Sequence, residues 1–146
     1  MTTYSRLDRL GQELIANGLE GLFVTTLVNV RYLTGFTGSN GAVYVSNGEV
    51  MFFTDGRYQD QAAAEVPDIE HVITRDLLGG MARRASGATL GIESHTFSVD
   101  AHARLGELLP STKLEGTGRV VESLRVTKDA IEVDHLRRAC DISTEA

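Results

Sequence analysis

The sequence has one cysteine, two prolines and no tryptophan among its 146 residues. Since a lone cysteine, Cys140, excludes an intramolecular disulfide, this usage agrees with a reducing compartment. No apolar run approaches the roughly 20 residues of a membrane span, and the first ten residues lack the apolar core of a secretory signal. These absences predict a cytoplasmic protein without a membrane-spanning segment.

An excess of positive charge is also missing. Lysine and arginine number 14 against 20 acidic residues, giving a net charge of -6, and the basic residues are scattered rather than striped. Nucleic acid is therefore a poor candidate partner. With 42% hydrophobic and 23% charged residues, the composition fits one globular domain with a buried core rather than a disordered chain.

A glycine-rich loop, TGFTGSNG over residues 34–41, is the most informative stretch. Three glycines surround Ser39 and Asn40: Gly35, Gly38 and Gly41. Such spacing predicts a tight loop in which the backbone can adopt positive φ. Two functions remain open for it, a structural turn and a loop that lines a substrate.

Two β-rich runs follow, AVYVS and EVMFFT, joined by Asn47 and Gly48. This dipeptide suits a two-residue type I′ turn, so the pattern predicts a β-hairpin. The next run, RYQDQAAAEV, predicts a helix. Asp55 precedes it as a helix cap, and Pro67 ends it.

The remaining chain alternates between strand and helix patterns. Leu7, Leu10 and Leu14 predict a helix over Tyr4–Asn17, capped by Gly18, with one face on a sheet. Residues 27–33 favour a short helical turn over a loop, and paired glycines make residues 76–86 a poor helix. Strands are predicted at 21–26, 68–74, 88–93 and 113–116, and helices at 98–109 and 120–126. The fold class is α/β, a mixed sheet flanked by helices.

The C-terminal stretch from Thr127 forms another helical pattern, in which Asp134 and Arg138 are an i,i+4 pair. Val133, Leu136 and Cys140 form an apolar stripe along it, which predicts a buried, inert thiol. No stop signal ends the pattern, so we expect it to open a further domain.

No single residue or short motif gives a strong indication of a catalytic role. The glycine spacing is G-x-x-G-x-x-G and leads into a strand, which excludes a dinucleotide-binding fingerprint, and Thr37 breaks a nucleophile elbow around Ser39. Asp55 and Arg57 are better explained as a helix cap and its neighbour than as a catalytic pair.

The four histidines show no metal-ligand spacing, so we expect surface or capping roles for them: His71, His95, His102 and His135. Tyr32 and Tyr58 are predicted to pack with their hydroxyl tips hydrogen-bonded, or to lie at an interface.

Four motifs in this order carry a family resemblance: NVRYLTGFTGSNG, TDGRY followed by QA, GIE, and VVESLRVTKDAIEVDHLRRACDIS. Together they resemble the N-terminal domain of the creatinase, prolidase and aminopeptidase P family. The resemblance implies a ribonuclease-H-like mixed sheet for residues 1–126. It also implies that residues 127–146 are the linker and first helix of a pita-bread catalytic domain that follows.

The implied parent is an Xaa-Pro aminopeptidase or Xaa-Pro dipeptidase. Its two divalent metal ions, Mn, Co or Zn, would be held by the catalytic domain, so no catalytic or metal-binding residue is assigned here. The implied partners are the chain's own C-terminal catalytic domain, a second copy in a homodimer, and proline-containing peptides. In such a dimer the loop after YLTG approaches the neighbouring subunit's active site, which makes four residues candidates for its substrate entrance: Phe36, Gly38, Ser39 and Asn40.

Two other functions stay open. The parent could be a creatinase-like hydrolase of a non-peptide C–N bond, or the chain could be a free-standing binding or oligomerisation module.

Overall fold

The computed structural model describes residues 3–46 and 48–145 of the chain. Six strands form one sheet in the order β4-β3-β2-β1-β5-β6. The strands are β1 (Gly21–Val24), β2 (Gly41–Ser46), β3 (Glu49–Thr54), β4 (Glu70–Ile73), β5 (Thr89–Ile92) and β6 (Lys113–Gly116). The sheet is mixed, because β2 runs antiparallel to both its neighbours while the other pairs are parallel.

Seven α-helices accompany these strands in the described residues: α1 (Thr3–Ala16), α2 (Leu27–Thr34), α3 (Gln59–Glu65), α4 (Leu77–Arg84), α5 (Val99–Leu108), α6 (Val120–Val126) and α7 (Ala130–Glu145). The predicted mixed α/β sheet flanked by helices is confirmed. None of the helices in that part of the chain is long and apolar enough to cross a bilayer.

The predicted hairpin is confirmed by its strand pairing. Gly41 pairs with Thr54 at one end and Ser46 with Glu49 at the other. Asn47 lies outside the described residues, and Gly48 has φ of +85°. The hairpin's open end, where β2 begins and β3 ends, positions the candidate site.

The core lies on both faces of the sheet. One face packs against α1, α2, α3 and α6, and the other against α4 and α5. The three leucines predicted to anchor α1 are buried, and Gly18 follows the helix with φ of +69°. All of β1 is buried, as predicted for a central strand.

Residues 77–84 form α4, which corrects the expectation of a poor helix. Asp76 caps it by accepting a hydrogen bond from the Gly79 amide at 3.0 Å. The glycines permit close packing: a Cβ on Gly80 would lie 2.9 Å from Thr74 Cγ2 and 3.4 Å from the Phe53 ring. Tertiary packing on the sheet therefore outweighs the low helix propensity of the pair.

Cys140 is also a correction, because its thiol is exposed rather than buried. Leu136 on the same stripe is 53% exposed. The helix itself and its Asp134–Arg138 ion pair, at 3.0 Å, are as predicted. Leu136 and Cys140 of the apolar stripe of α7 are thus exposed, whereas Val133 near its start is half-buried.

Candidate functional site at the open end of the hairpin

The loop between α2 and β2 meets the end of β3 through Asn40 and Asp55. Asn40 and Asp55 lie one residue beyond the Gly41–Thr54 pair that ends the hairpin register, and their side chains meet there. Asn40 Nδ2 donates to Asp55 Oδ2 at 2.6 Å, and Thr54 Oγ1 donates to the Asn40 carbonyl at 2.6 Å. The loop is therefore fastened to the strand that follows it.

Asp55 also binds Arg57, on the short 3₁₀ turn Gly56–Tyr58 that precedes α3. The Arg57 amide and Nε donate to Oδ1 at 2.9 and 3.0 Å, and Nη2 donates to Oδ2 at 2.9 Å. These bonds, with that from Asn40, hold the pKa of Asp55 well below its usual range. The predicted cap is confirmed, and the ionised carboxylate accepts all four of these hydrogen bonds. We call Asn40, Asp55 and Arg57 the Asn40 corner.

Phe36 takes a different part from the one expected of an entrance residue. Its ring is 1% exposed and packs against Phe52 and Tyr58, with ring centroids 4.7 and 5.7 Å apart. It supports the loop from the core side, so the loop surface is formed by its neighbours.

Position 38 requires glycine because the Phe36 and Tyr58 rings lie close to its backbone, and not because of its backbone conformation. A Cβ there would lie 2.7 Å from Phe36 Cε1 and 2.9 Å from Tyr58 Cδ1. Of the three loop glycines only Gly35 has positive φ, at +84°, which corrects the expectation for Gly38 and Gly41. At those two positions the missing side chain makes room for aromatic rings.

The outer side of the loop is tied to α3. Thr37 donates from its amide and its hydroxyl to the two carboxylate oxygens of Glu65, each at 2.7 Å, which lowers the pKa of Glu65. Ser39 Oγ shares a hydrogen bond with the Tyr58 hydroxyl. Tyr58 therefore packs with a bonded tip, as predicted.

Asn40 lies between two open clefts. One, of about 610 Å³, is lined by Asn40, Asp55, Gly56, Arg57 and Arg75. The other, of about 390 Å³, has Ser39 and Asn40 on one side and the apolar side chains of Leu77, Leu78 and Phe97 among its walls. The loop therefore presents polar groups between a cleft that contains two arginines and one aspartate and a cleft with apolar walls.

The described residues contain no group of three or more His, Cys, Asp or Glu side chains arranged to hold a metal ion. The described residues therefore do not supply the ligands of a dinuclear metal site. Two histidines each form one hydrogen bond. His71 Nε2 lies 2.6 Å from the Val66 carbonyl oxygen, and His95 Nε2 lies 2.8 Å from Glu122 Oε1.

Sequence reasoning missed a second, buried polar cluster, centred on Asn29, which we call the Asn29 network. Asn29 is fully buried, and its Nδ2 donates to Glu93 Oε1 at 2.6 Å and to Glu122 Oε1 at 2.8 Å. Its Oδ1 accepts from Arg125 Nη1 at 2.9 Å. One asparagine thus joins α2, the end of β5 and α6.

Glu93 completes the Asn29 network. It is 2% exposed, and its Oε2 accepts from the amides of Thr25 and Thr26 at 2.7 and 2.8 Å. Burial raises the pKa of Glu122, but hydrogen bonds from Asn29 and His95 outweigh it and leave that pKa below the usual value. The buried Glu93 and the partly buried Glu122 are therefore held by donors from three segments of the chain.

One signal could have found this network. Its members fall in three of the four resemblance motifs, Asn29 in NVRYLTGF, Glu93 in GIE, and Glu122 with Arg125 in VVESLR. Polar residues that lie in motifs far apart in the sequence, next to apolar strands, are candidates for mutual contact. Periodicity does not reveal which of them meet.

Comparison with known proteins places this architecture. The family model described as Creatinase/Prolidase N-terminal domain matches residues 6–127. The peptidase YqhT of Bacillus subtilis (strain 168) is 30% identical over 97% of this chain, which spans about two fifths (41%) of that protein.

Two solved structures are similar. The N-terminal domain of the cytoplasmic peptidase PepQ from Mycobacterium tuberculosis H37Rv is 40% identical, with a TM-score of 0.79 over 82% of this chain and 98% of that one. An Xaa-Pro dipeptidase from Bacillus anthracis is 26% identical, with a TM-score of 0.85 over 91% of this chain and 38% of that one. The family model covers most of the chain and the architecture agrees with it, so the chain belongs to the creatinase/prolidase N-terminal domain family.

Proposed function

We propose that this chain is the non-catalytic N-terminal domain of a metal-dependent Xaa-Pro peptidase of the aminopeptidase P or prolidase type. The observation that carries the proposal is the family match over residues 6–127. The Xaa-Pro dipeptidase of Bacillus anthracis supports it, since the chain aligns with only 38% of that enzyme. Bond cleavage, with two divalent metal ions, is assigned to the domain that would follow.

The parts of the chain are assigned accordingly. Residues 1–126 form the N-terminal domain, and residues 127–146 form the linker and the first helix of the catalytic domain. Leu136 (53% exposed) and Cys140 of the apolar stripe of α7 lie on the surface that the catalytic domain would cover. We assign the parent to the cytoplasm, the location stated for the Mycobacterium tuberculosis relative.

The loop over residues 36–41 is proposed to form part of a substrate entrance in a homodimer. Ser39 and Asn40 present polar groups between the two clefts, while Phe36 and Gly38 hold the backbone that carries them. Because Asn40 Nδ2 is directed to Asp55, its position is fixed before any peptide arrives. A preorganised polar group of this kind orients a ligand at little entropic cost.

An activity measurement tests whether peptide hydrolysis requires the catalytic domain. The 146-residue chain, incubated with Mn²⁺ and an Xaa-Pro dipeptide, is expected to release no proline, whereas the full-length parent is expected to release it. Turnover by the chain that co-elutes with it through successive purification steps would contradict the proposal.

A substitution tests the entrance. In the full-length parent, Asn40→Ala is expected to change KM or the preference among Xaa-Pro peptides while metal content stays the same. Asn17→Ala is the matched control, because Asn17 is an exposed asparagine bonded only within the end of α1. Kinetics for Asn40→Ala that equal those of Asn17→Ala would remove the loop from the proposal.

A further inference from the structure

Helix α7 begins with a reciprocal pair of hydrogen bonds. Asp129 Oδ1 accepts from the Glu132 amide at 2.9 Å, and Glu132 Oε2 accepts from the Asp129 amide at 2.9 Å. This is a capping box, which satisfies two backbone donors and fixes the first turn. The direction of the helix is therefore decided by whatever holds Asp129.

Arg6 of α1 holds that first turn. Its Nη2 lies 2.7 Å from Asp129 Oδ2 and 3.2 Å from Glu132 Oε1, so a single guanidinium binds both acids of the capping box. The Asp129 side chain is only 7% exposed and that of Arg6 17%. Bonds from the Glu132 amide and Arg6 hold the pKa of Asp129 well below its usual range.

The same guanidinium is fixed on the domain by α2. Arg6 Nη1 donates to the Tyr32 carbonyl at 2.8 Å, and the guanidinium carbon lies 4.3 Å from the centre of the Tyr32 ring. Tyr32 in turn donates its hydroxyl to the Leu124 carbonyl of α6 at 3.3 Å. Arg6 thus joins α1, α2 and the start of α7 through a planar group whose orientation is determined on both sides.

The rest of α7 offers little to fix its direction. Leu136 and Ile142 are 53% and 70% exposed. Its 16 residues span about 24 Å, so a tilt of about 10° at the first turn moves the far end by about 4 Å. Small changes at Asp129 are thereby amplified along the helix.

We propose that Arg6 is a positioning residue that sets the direction in which α7 leaves the domain, by clamping the capping box of Asp129 and Glu132 against Tyr32. The fixed direction stands independently of the proposed function. Its consequence, that Arg6 sets the placement of a following catalytic domain relative to the Asn40 loop, rests on that function.

Distances between two spin labels test the clamp in the 146-residue chain. Cys140 is exposed and is the chain's one cysteine, so a nitroxide there reports on α7, and a second on Glu107→Cys reports on α5. We expect one narrow distance distribution in this background. Arg6→Ala should broaden it, whereas Arg84→Ala, which removes an exposed arginine bonded to Glu70, should leave it narrow.

Asp129→Asn separates the clamp from the cap. Asparagine caps a helix about as well as aspartate but carries no charge, so helical content by circular dichroism should be retained while the distribution broadens. This variant also decides the matter if Arg6→Ala does not fold. A broad distribution before any clamp substitution, or a narrow one in Asp129→Asn or in folded Arg6→Ala, would overturn the proposal.

Discussion

Two asparagines in this domain each belong to a cluster that contains an arginine and at least one carboxylate, and the surroundings of the two clusters differ. Asn40 joins Asp55 and, through it, Arg57, over 15 residues or fewer and close to open clefts. Asn29 joins Glu93, Glu122 and Arg125 over separations of 64 to 96 residues inside the domain.

Asn29 is fully buried and Asn40 is partly exposed, whereas the carboxylates of both clusters are largely buried. The burial of the asparagines and their separation from their partners along the chain therefore assign different tasks to them. A hydrogen-bonded group that water can reach loses little when its partner is removed, whereas a buried one loses its partner without replacement. The Asn29 network therefore contributes to the stability of the whole domain. The Asn40 corner shapes a surface that can be changed without unfolding the protein.

Asn29→Ala should have the largest effect, because it leaves the buried Glu93 and the partly buried Glu122 and Arg125 without their shared partner. We expect a loss of about 3 kcal/mol in the free energy of unfolding. The measurement is urea denaturation, in which the midpoint should fall while the slope stays the same. Asn17→Ala is the control, and equal midpoints for the two variants would contradict the role given to Asn29.

Gly38→Ala should have the next largest effect, since the added methyl group would meet the Phe36 and Tyr58 rings. We expect a loss of about 1–2 kcal/mol from overpacking, measured in the same urea experiment. Gly106→Ala is the matched control, because no neighbouring atom lies within 4 Å of the point that a Cβ on Gly106 would occupy. If both alanines behave alike, the close approach at Gly38 is not a constraint.

Asp55 of the Asn40 corner should make a smaller, pH-dependent contribution to the free energy of unfolding. Because its pKa is lowered in the folded state, folding favours the ionised form. Its stabilisation is full above the unfolded pKa of about 3.9 and is lost as pH falls through the lower folded pKa. Asp55→Asn should therefore be less stable than the native chain near neutral pH, with a gap that closes in acid. A gap in urea midpoints that stays constant on acidification would exclude this linkage.

Asn40→Ala should have the smallest effect on stability, below about 1 kcal/mol, because its side chain is partly exposed and Asp55 keeps Arg57 as a partner. Backbone amide NMR shifts should change over residues 36–41 and 54–58 and little elsewhere. A midpoint as low as that of Asn29→Ala would show that the two clusters do not differ as described.

Most of the fold follows from local sequence signals. The hairpin, the leucines of α1 and the central strand β1 were predictable because strand alternation, helical spacing and turn residues act over short distances. The α4 helix was not, because Thr74 and Phe53 approach Gly80 too closely for a larger residue, and helix propensity takes no account of such contacts.

The candidate site was predictable in position and less so in detail. The glycine spacing located the loop, and the hairpin register, extended by one pair, would have placed Asn40 beside Asp55. Phe36 appeared in the loop by sequence but packs into the core, since a large ring next to glycines has room to turn inward. The Asn29 network depends on contacts across the whole chain, which no local pattern encodes.

Native-state hydrogen exchange on the unsubstituted chain tests the contrast most directly. The amides of Thr25 and Thr26, bonded to Glu93, should exchange only through global unfolding, with an opening free energy equal to that from urea. The Arg57 amide, bonded to Asp55, should exchange through local opening with a clearly smaller free energy. Equal opening free energies for the three amides would contradict the account.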